Sequence, residues 1–436
     1  KTDSGVYAGT ILENGTIQIV ADRVGEDTTF GKIIELVEEA QDSKSEAERF
    51  IDRFSKYYTP AVLILSIIVW LVSRDMELAI TILVLGCPGA LVIGVPVSNV
   101  AGIGNGARNG VLLKGSEVIQ YFSKVDAVVF DKTGTLTIGN PKVADTEFYS
   151  NNTEEALGYL ASVENESDHP LAKAVVEHIG ETKPYIVENT DVVKGGGIVA
   201  YVDTHRVAVG NVALMERENV QLNEKAREDI ARFEQNGNSL VLTAVNGELK
   251  ILMGIRDQIR KGVKNDLQKL KKLGVKSLIV LSGDNQGTVN LVAKELGLTE
   301  AHGHMLPENK SAYIAELQAK GQIVAFVGDG VNDSPSLALA DIGIAMGSGT
   351  DVAIETSDVV LMNSDFSRLP HALGLAKATA NNMLQNIIVA VGVVLVLLAS
   401  VFFSKWMNMS IGMLVHEASI LVVILNGMRL LRYKLK

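Results

Sequence analysis

Three things are scarce in this 436-residue sequence. It has one cysteine, which excludes a disulfide framework and any metal cluster built from cysteines alone. Basic residues are outnumbered, 40 Lys and Arg against 51 Asp and Glu, for a formal net charge of −11. That balance argues against nucleic-acid binding, where phosphates are neutralised by clustered Lys and Arg. Charge of either sign is absent from two long stretches, residues 78–107 and 378–404. No segment at the start resembles a signal peptide, and a sequence opening on Lys1 reads as a piece that begins within a domain. At 47% hydrophobic and 21% charged, the composition is otherwise that of a folded chain, not a disordered or fibrous one. The length predicts about three domains.

The two uncharged stretches are long enough to cross a bilayer core, which takes about 20 residues. A third apolar run lies between Arg53 and Arg74, interrupted by Lys56, and a fourth between Lys405 and Arg429, with His416 and Glu417 at its centre. Buried helices of a soluble core are usually shorter, about 10–14 residues. The runs form two pairs, each with a short turn, Arg74-Asp75 in one and Phe403 to Trp406 in the other. Basic residues gather at the opposite ends: Arg53, Lys56, Arg108 and Lys114, then Lys377, Arg429, Arg432, Lys434 and Lys436. By the positive-inside bias those ends, and everything between the pairs, are cytosolic.

Between the pairs the pattern changes. Short apolar runs, Ala127 to Phe130, Leu278 to Leu281 and Ile323 to Val327, alternate with helical stretches at 286–296 and 308–320. This pattern predicts a parallel sheet covered on both faces. The three runs end at Asp131, at Ser282-Gly283-Asp284 and at Gly328-Asp329-Gly330. Functional groups in open α/β sheets collect beyond the carboxyl ends of the strands, so Asp131, Asp284 and Asp329 are expected to converge on one crevice. A carboxylate there can attack a phosphoryl group and form an acylphosphate. Carboxylate and carbonyl oxygens suit Mg²⁺, with Asp329 and Asp333 as sources of the second carboxylate. Thr133, Thr135, Lys310 and backbone amides are the candidate donors to the transferring phosphoryl group.

The string Asp131-Lys132-Thr133-Gly134-Thr135-Leu136-Thr137 resembles the phosphorylation motif of P-type ATPases, and Gly328-Asp329-Gly330-Val331-Asn332-Asp333 resembles their Mg²⁺ motif. Ser282-Gly283-Asp284 is similar to the family's Thr-Gly-Asp, with a conservative change at the first position. The resemblance implies an α/β haloacid-dehalogenase-like phosphorylation domain, with an inserted α+β nucleotide-binding domain and α-helical transmembrane segments. It further implies ATP and Mg²⁺ as cofactors and Asp131 as the residue phosphorylated. Mg²⁺ would be held by Asp131, the Thr133 carbonyl, Asp329 and Asp333, with Lys310 and Asp284 completing the catalytic set.

Residues from about Gly139 to Ile255 interrupt the sheet pattern and read as that insertion. Glu164 precedes Ser167-Asp168-His169-Pro170, which resembles the nucleotide-domain signature of the heavy-metal branch, and Gly195 and Gly197 resemble its glycine pair. A lone His before Pro and a glycine cluster each carry little by themselves. The resemblance implies adenine binding by His169 and Glu164, with the glycines lying close to the nucleotide.

Cys87-Pro88-Gly89 lies inside the second apolar run. Proline breaks a helix there and frees carbonyls at membrane depth. The heavy-metal members resemble this with Cys-Pro-Cys or variants; Gly89 replaces the second thiolate. A carboxylate inside a span is a functional-site hypothesis by default, so Cys87, His416 and Glu417 are expected to form one site. Such a mixed N/O/S set suits Zn²⁺, Cd²⁺, Co²⁺ or Fe²⁺ better than Cu⁺. His416-Glu417 with Asn426-Gly427-Met428-Arg429 looks most like the cobalt-type subgroup, which usually has Gly in place of Ala418.

The expected organisation is then an actuator-domain remnant at 1–43, with Thr10 to Val20 as strands, and a transmembrane pair at 44–107. A phosphorylation domain follows at 108–138 and 256–376, a nucleotide domain at 139–255, and a second transmembrane pair at 377–436. The family's Thr-Gly-Glu dephosphorylation loop is not in the sequence. The expected activity is ATP-driven transport, with export the expected direction, of a divalent transition metal across a lipid bilayer, in a bacterial plasma membrane. The alternatives are a membrane-anchored phosphatase of the haloacid-dehalogenase type, and a P-type pump for Cu⁺ or K⁺. Against the phosphatase, Thr133 stands where those enzymes usually carry a second Asp.

Overall fold

The computed structural model describes residues 20, 46–150, 152–167, 170–193, 195–329, 333–347, 351–403 and 408–435. The strands expected within Thr10 to Val20, together with His169, lie outside the described residues.

Among the described residues thirteen strands form two sheets. In chain order they are β1 (Val111–Leu113), β2 (Ala127–Asp131), β3 (Thr137–Phe148), β4 (Val187–Val193), β5 (Gly197–Val202), β6 (His205–Gly210) and β7 (Ser239–Val245). They continue with β8 (Glu248–Ile259), β9 (Ser277–Leu281), β10 (Glu300–His302), β11 (Val324–Gly328), β12 (Ile342–Met346) and β13 (Val359–Leu361). The first sheet runs β1-β13-β12-β11-β2-β9-β10 and the second β3-β8-β7-β6-β5-β4.

The first sheet is parallel across β13, β12, β11, β2, β9 and β10. Its central strands are apolar throughout because both faces are covered. Val128 and Phe130 of β2 point into one core with Leu278, Val280, Ala325 and Val327. Val129 points into the other with Ile279, Phe326, Ile314 and Leu317. β1 pairs antiparallel with β13 at the edge, a strand too short for the sequence pattern to declare. The second sheet is antiparallel throughout. Helices Thr153–Glu164 and Pro170–Ile179 cover one face, and Val212–Arg217 and Glu224–Gln235 the other. β3 and β8 are twelve residues each and pair along their length. They run through both expected boundaries of the inserted domain, so the two sheets are joined by a continuous two-stranded ribbon.

The helices labelled here are α1 (Glu46–Ser73), α2 (Met76–Leu85), α3 (Gly89–Arg108), α4 (Arg368–Phe403) and α5 (Met409–Met428). Among the described residues four helical stretches are long and apolar enough to cross a membrane: Ala47–Ser73, Met76–Arg108, Arg368–Val401 and Met409–Arg432. The second is interrupted at Cys87-Pro88. Pro88 has no N–H to donate, and the amides of Gly86 and Cys87 reach back to Ile82 and Val84 at 2.9 and 3.2 Å. α4 has 36 residues and therefore runs about 54 Å. Its first turns bury Leu369, Ala372, Leu373 and Ala376 in the core under the parallel sheet; the rest is membrane helix. One rigid element thus belongs to both parts of the molecule.

Phe130 is fully buried one residue before Asp131. Phe130→Ala should cost about 3–5 kcal/mol and lower the thermal unfolding midpoint of the sheet domain, followed by circular dichroism. An unchanged midpoint would show that β2 is not the central strand described.

Candidate functional site: a carboxylate cluster at the ends of β2 and β11

β2 and β11 are hydrogen-bonded neighbours, and their carboxyl ends carry Asp131 and, just past the strand, Asp329. Asp333 joins them at the amino end of the short helix Ser334–Leu339. One ligand oxygen from each lies within 4.8 Å of the others. Lys310, projecting from the helix Pro307–Ala319, donates to Asp131 Oδ1 at 2.5 Å and to Asp333 Oδ1 at 2.9 Å. All but Asp329 are nearly inaccessible to water.

The electrostatics follow from that crowding. Burial, then the charge of Asp333, pushes the Asp131 carboxyl up to about 7 against the pull of Lys310. The same two causes raise Asp329 to about 6, opposed by Arg260 and Lys310. Burial alone would lower Lys310, but the carboxylates of Asp131 and Asp333 raise it. Three like charges around one ammonium leave the group short of positive charge.

The loop after Asp131 is shaped to fit. Thr137 Oγ1 donates to the Lys132 carbonyl at 3.0 Å and accepts from the Gly134 amide at 3.2 Å. Gly134 has φ +74°, and a Cβ there would overlap the Asp329 carboxylate, so glycine is required on both counts. Thr135 is fully buried and its hydroxyl has no partner among the described residues, whereas the Thr133 side chain is exposed. A buried hydroxyl without a partner costs free energy and is the kind of group a bound phosphoryl oxygen satisfies. An all-oxygen donor set with an unsatisfied negative charge also fits Mg²⁺. The residues present therefore fit both cofactors.

Asp284 departs from the expected convergence. It is not in the carboxylate group but forms an ion pair with Lys132, because β9 ends beside the Lys132 side of the loop. Two residues beside this cluster were missed by sequence reasoning. Arg260 donates to the Gly134 carbonyl at 2.6 Å and to the Ser364 carbonyl at 3.1 Å. Asp257 accepts from the Gly139 amide at 3.2 Å, tying the start of the ribbon to its end. A paired Asp and Arg at the exit of an insertion was the signal available.

In the inserted domain, Glu164 closes the helix Thr153–Glu164 and is buried, which pushes its carboxyl up to about 7. Asn211, also missed, donates to the Gly195 carbonyl at 2.9 Å and caps the helix that follows. The two glycines differ. A Cβ on Gly195 meets nothing within 4 Å, whereas one on Gly197 would overlap the Val209 carbonyl and lie 2.6 Å from Gly210 Cα. Gly197 is thus required by the sheet itself, and Gly195 is the glycine with an open face.

In the membrane helices, His416 is buried, with Nδ1 unpartnered among the described residues. It packs against the helix break: a Cβ on Gly89 would lie 3.4 Å from His416 Nε2. Cys87 and Glu417 are both exposed, and the three residues do not form a group with converging ligand atoms among the described residues. His416 and Glu417 point in different directions for a simple reason. Successive helical residues point about 100° apart, so packing His416 inward turns Glu417 outward.

Comparison with known proteins gives a consistent picture. Residues 125–341 match the family described as haloacid dehalogenase-like hydrolase, and residues 1–38 match the P-type ATPase actuator domain. A cadmium-transporting ATPase of Staphylococcus aureus is 38% identical, with 99% of this chain and 62% of that protein aligned. A copper-exporting P-type ATPase of Staphylococcus aureus (strain Newman) is 38% identical over 90% of this chain and 50% of its own length. The crystal structure of a zinc-transporting PIB-type ATPase in its E2.Pi state superposes with a TM-score of 0.73 at 34% identity, covering 93% of this chain and 68% of that one. The chain spans 62% of the length of the cadmium-transporting relative it matches.

Two outcomes are expected. Raised carboxyl values mean that the folded state holds protons the unfolded chain releases, so this contribution to stability is present at low pH and lost as pH rises through about 6 to 7. Without Mg²⁺, the unfolding midpoint should fall as pH rises from about 4 to about 7 and level off above that, and Asp131→Asn should flatten the profile. A flat profile in the unsubstituted protein would refute the crowding argument. Separately, Gly197→Ala should lower the unfolding midpoint well beyond Gly195→Ala; equal shifts would remove the distinction between them.

Proposed function

The chain belongs to the heavy-metal P-type ATPases, and from that premise we propose that the full-length protein uses ATP to move a divalent transition-metal ion across a membrane through a phosphorylated Asp131. The observation that carries this is the Asp131, Asp329 and Asp333 cluster around Lys310, set behind a loop that leaves the buried Thr135 hydroxyl without a partner among the described residues.

In this reading a carboxylate oxygen of Asp131 attacks the γ-phosphorus of ATP, the bond to the bridging oxygen breaks, and ADP leaves with that electron pair. Lys310 stays within reach of the attacking carboxylate and offsets the charge spread over the phosphoryl oxygens. Thr135 donates its hydroxyl to one of those oxygens. Arg260 holds the Gly134 carbonyl and so fixes the loop carrying both threonines. Asp131, Asp329, Asp333 and the Thr133 carbonyl would hold Mg²⁺, whose positive charge would stabilise the phosphoryl group. Lys132, paired with Asp284, is kept from competing with Lys310 for Asp131.

Glu164 and His169 bind the adenine. A carboxyl with its proton held near neutrality can donate to a ring nitrogen, which is the use burial gives Glu164. Gly195 lets the nucleotide approach the backbone, and Asn211 fixes that loop. Both lie in the inserted domain, away from the phosphoryl chemistry.

For the ion, Cys87 beside the helix break and His416 packed on Gly89 are the proposed ligands, one thiolate and one imidazole. Glu417, one residue on and turned outward, is the proposed carboxylate at the rim of the site. This donor set favours Zn²⁺, Cd²⁺, Co²⁺ or Fe²⁺ over Cu⁺, and the proposed direction is export from the cytosol of a bacterial cell.

The test is ATP hydrolysis by the full-length protein, screened across Zn²⁺, Cd²⁺, Co²⁺, Fe²⁺ and Cu⁺. Cys87→Ala and His416→Ala should each abolish stimulation by the divalent ion while leaving phosphorylation from inorganic phosphate intact. Asp131→Asn should abolish both, along with the hydroxylamine-labile label from ATP. Strong stimulation by Cu⁺ alone would overturn the ligand argument, and a label surviving in Asp131→Asn would overturn the nucleophile.

A further inference from the structure

The bundle contains a set of buried polar side chains that the ion site does not use. Asn386 of α4 is 1% exposed. Its Nδ2, with two hydrogens to donate, lies 2.9 Å from the Gly94 carbonyl of α3, 3.1 Å from Ser98 Oγ of α3 and 3.2 Å from the Val423 carbonyl of α5. Its Oδ1 accepts from Asn426 Nδ2 of α5 at 2.9 Å. One turn earlier, Asn382 accepts from Ser98 Oγ at 2.8 Å and donates to the Asn426 carbonyl at 2.9 Å. Two asparagines of one helix therefore hold two other helices, with every polar atom of Asn386 used.

The backbones come close enough only because of glycine. A Cβ on Gly94 would lie 3.1 Å from Asn386 Cβ, and one on Gly427 would lie 2.7 Å from Val97 Cγ1. Ordinary apolar packing would let the helices slide in small steps. A saturated amide network does not, because partial displacement leaves buried donors and acceptors unpaired. Such a joint has discrete arrangements, which is the property that carries coupling between distant sites.

Its position places it between the two ends of the machine. Gly94 is five residues past Gly89 and Val423 seven past His416, about 7.5 and 10.5 Å along their helices. In the other direction α4 runs from Asn386 to Leu369 and Leu373, which are buried in the core beneath the sheet that carries Asp131. We propose that Asn386 is a positioning residue that couples metal occupancy at Cys87 and His416 to the phosphorylation state of Asp131, by locking α3 and α5 onto α4. This rests on the transport reading above and adds the element through which its two ends communicate.

The experiment uses the full-length protein in lipid vesicles, with Zn²⁺, or whichever of Cd²⁺, Co²⁺ and Fe²⁺ stimulates the unsubstituted protein. Metal binding is measured at equilibrium, and Asp131 labelling from inorganic phosphate is measured with and without metal. In the unsubstituted protein the metal should suppress that labelling by a factor in the ~5–150 range of typical coupled sites, and in Asn386→Leu by no more than about twofold. Asn386→Leu should still bind the metal and still be labelled in its absence. Ser98→Ala, which removes one partner of the network and retains the amide, should give intermediate suppression, and it stands in if Asn386→Leu does not fold. Full suppression in both variants overturns the proposal, as does joint loss of binding and labelling in a folded Asn386→Leu, which is the mark of a merely structural role. No response of the unsubstituted protein to any of the four metals overturns the transport reading, and this inference with it.

Discussion

The structure is organised around an electrostatic shortage. Three carboxylates share a space of a few ångströms with one ammonium, and the burial of Asp131, Asp333 and Lys310 removes most of the water that would screen them. At protein-interior effective dielectrics such repulsion is worth several kcal/mol per close pair. Much of the surrounding sequence serves to keep that arrangement from relaxing. Gly134 leaves the Asp329 carboxylate its place, Thr137 closes the loop on itself, and Arg260 fixes the loop from outside. The apolar runs of β2 and β11 deliver two of the acids to adjacent strand ends in fixed register. A site held this way is pre-formed and does not first have to assemble.

The second organising fact is that this site and the membrane helices share a part. α4 begins as a core helix of the sheet domain and ends as an apolar span. β1 and α3 make a second connection, since Arg108 at the end of α3 is followed within three residues by the edge strand. Lys114 strengthens that edge by donating to the Ile354 carbonyl at 2.7 Å. Force applied at the strand ends has stiff routes into the bundle, and none of them passes through a flexible linker.

Much of this was legible in the sequence, and the reasons are physical. Buried parallel strands must be apolar on both faces, so β2, β9 and β11 stood out as continuous runs, each ending in an acid. The spans stood out because charge cannot be placed there cheaply. What the sequence hid were matters of direction. Nothing in the order His416-Glu417 says which of two neighbours faces inward; packing against Gly89 decides it. Asp284 looked equivalent to Asp329 as a strand-end acid, yet Lys132 takes it. Arg260 and Asn211 bond to backbone carbonyls of segments distant in sequence, and a carbonyl leaves no mark in a residue string. Gly197 belonged to a recognisable glycine pair, but its partner is Gly210 across a strand ladder, a fact that only sheet register supplies.

The ribbon formed by β3 and β8 has a consequence for motion. A two-stranded ladder resists stretching and sliding, because either would break many hydrogen bonds at once, but it bends and twists easily about its length. The ladder here is irregular at two places on the side nearer the parallel sheet, between Thr137 and Pro141 and between Val143 and Asp145, where pairing is interrupted and curvature concentrates. The nucleotide domain is therefore a body on a leaf spring, with its travel confined to an arc. Any group carried by that domain would reach Asp131 at an effective concentration set by that arc and not by the solution.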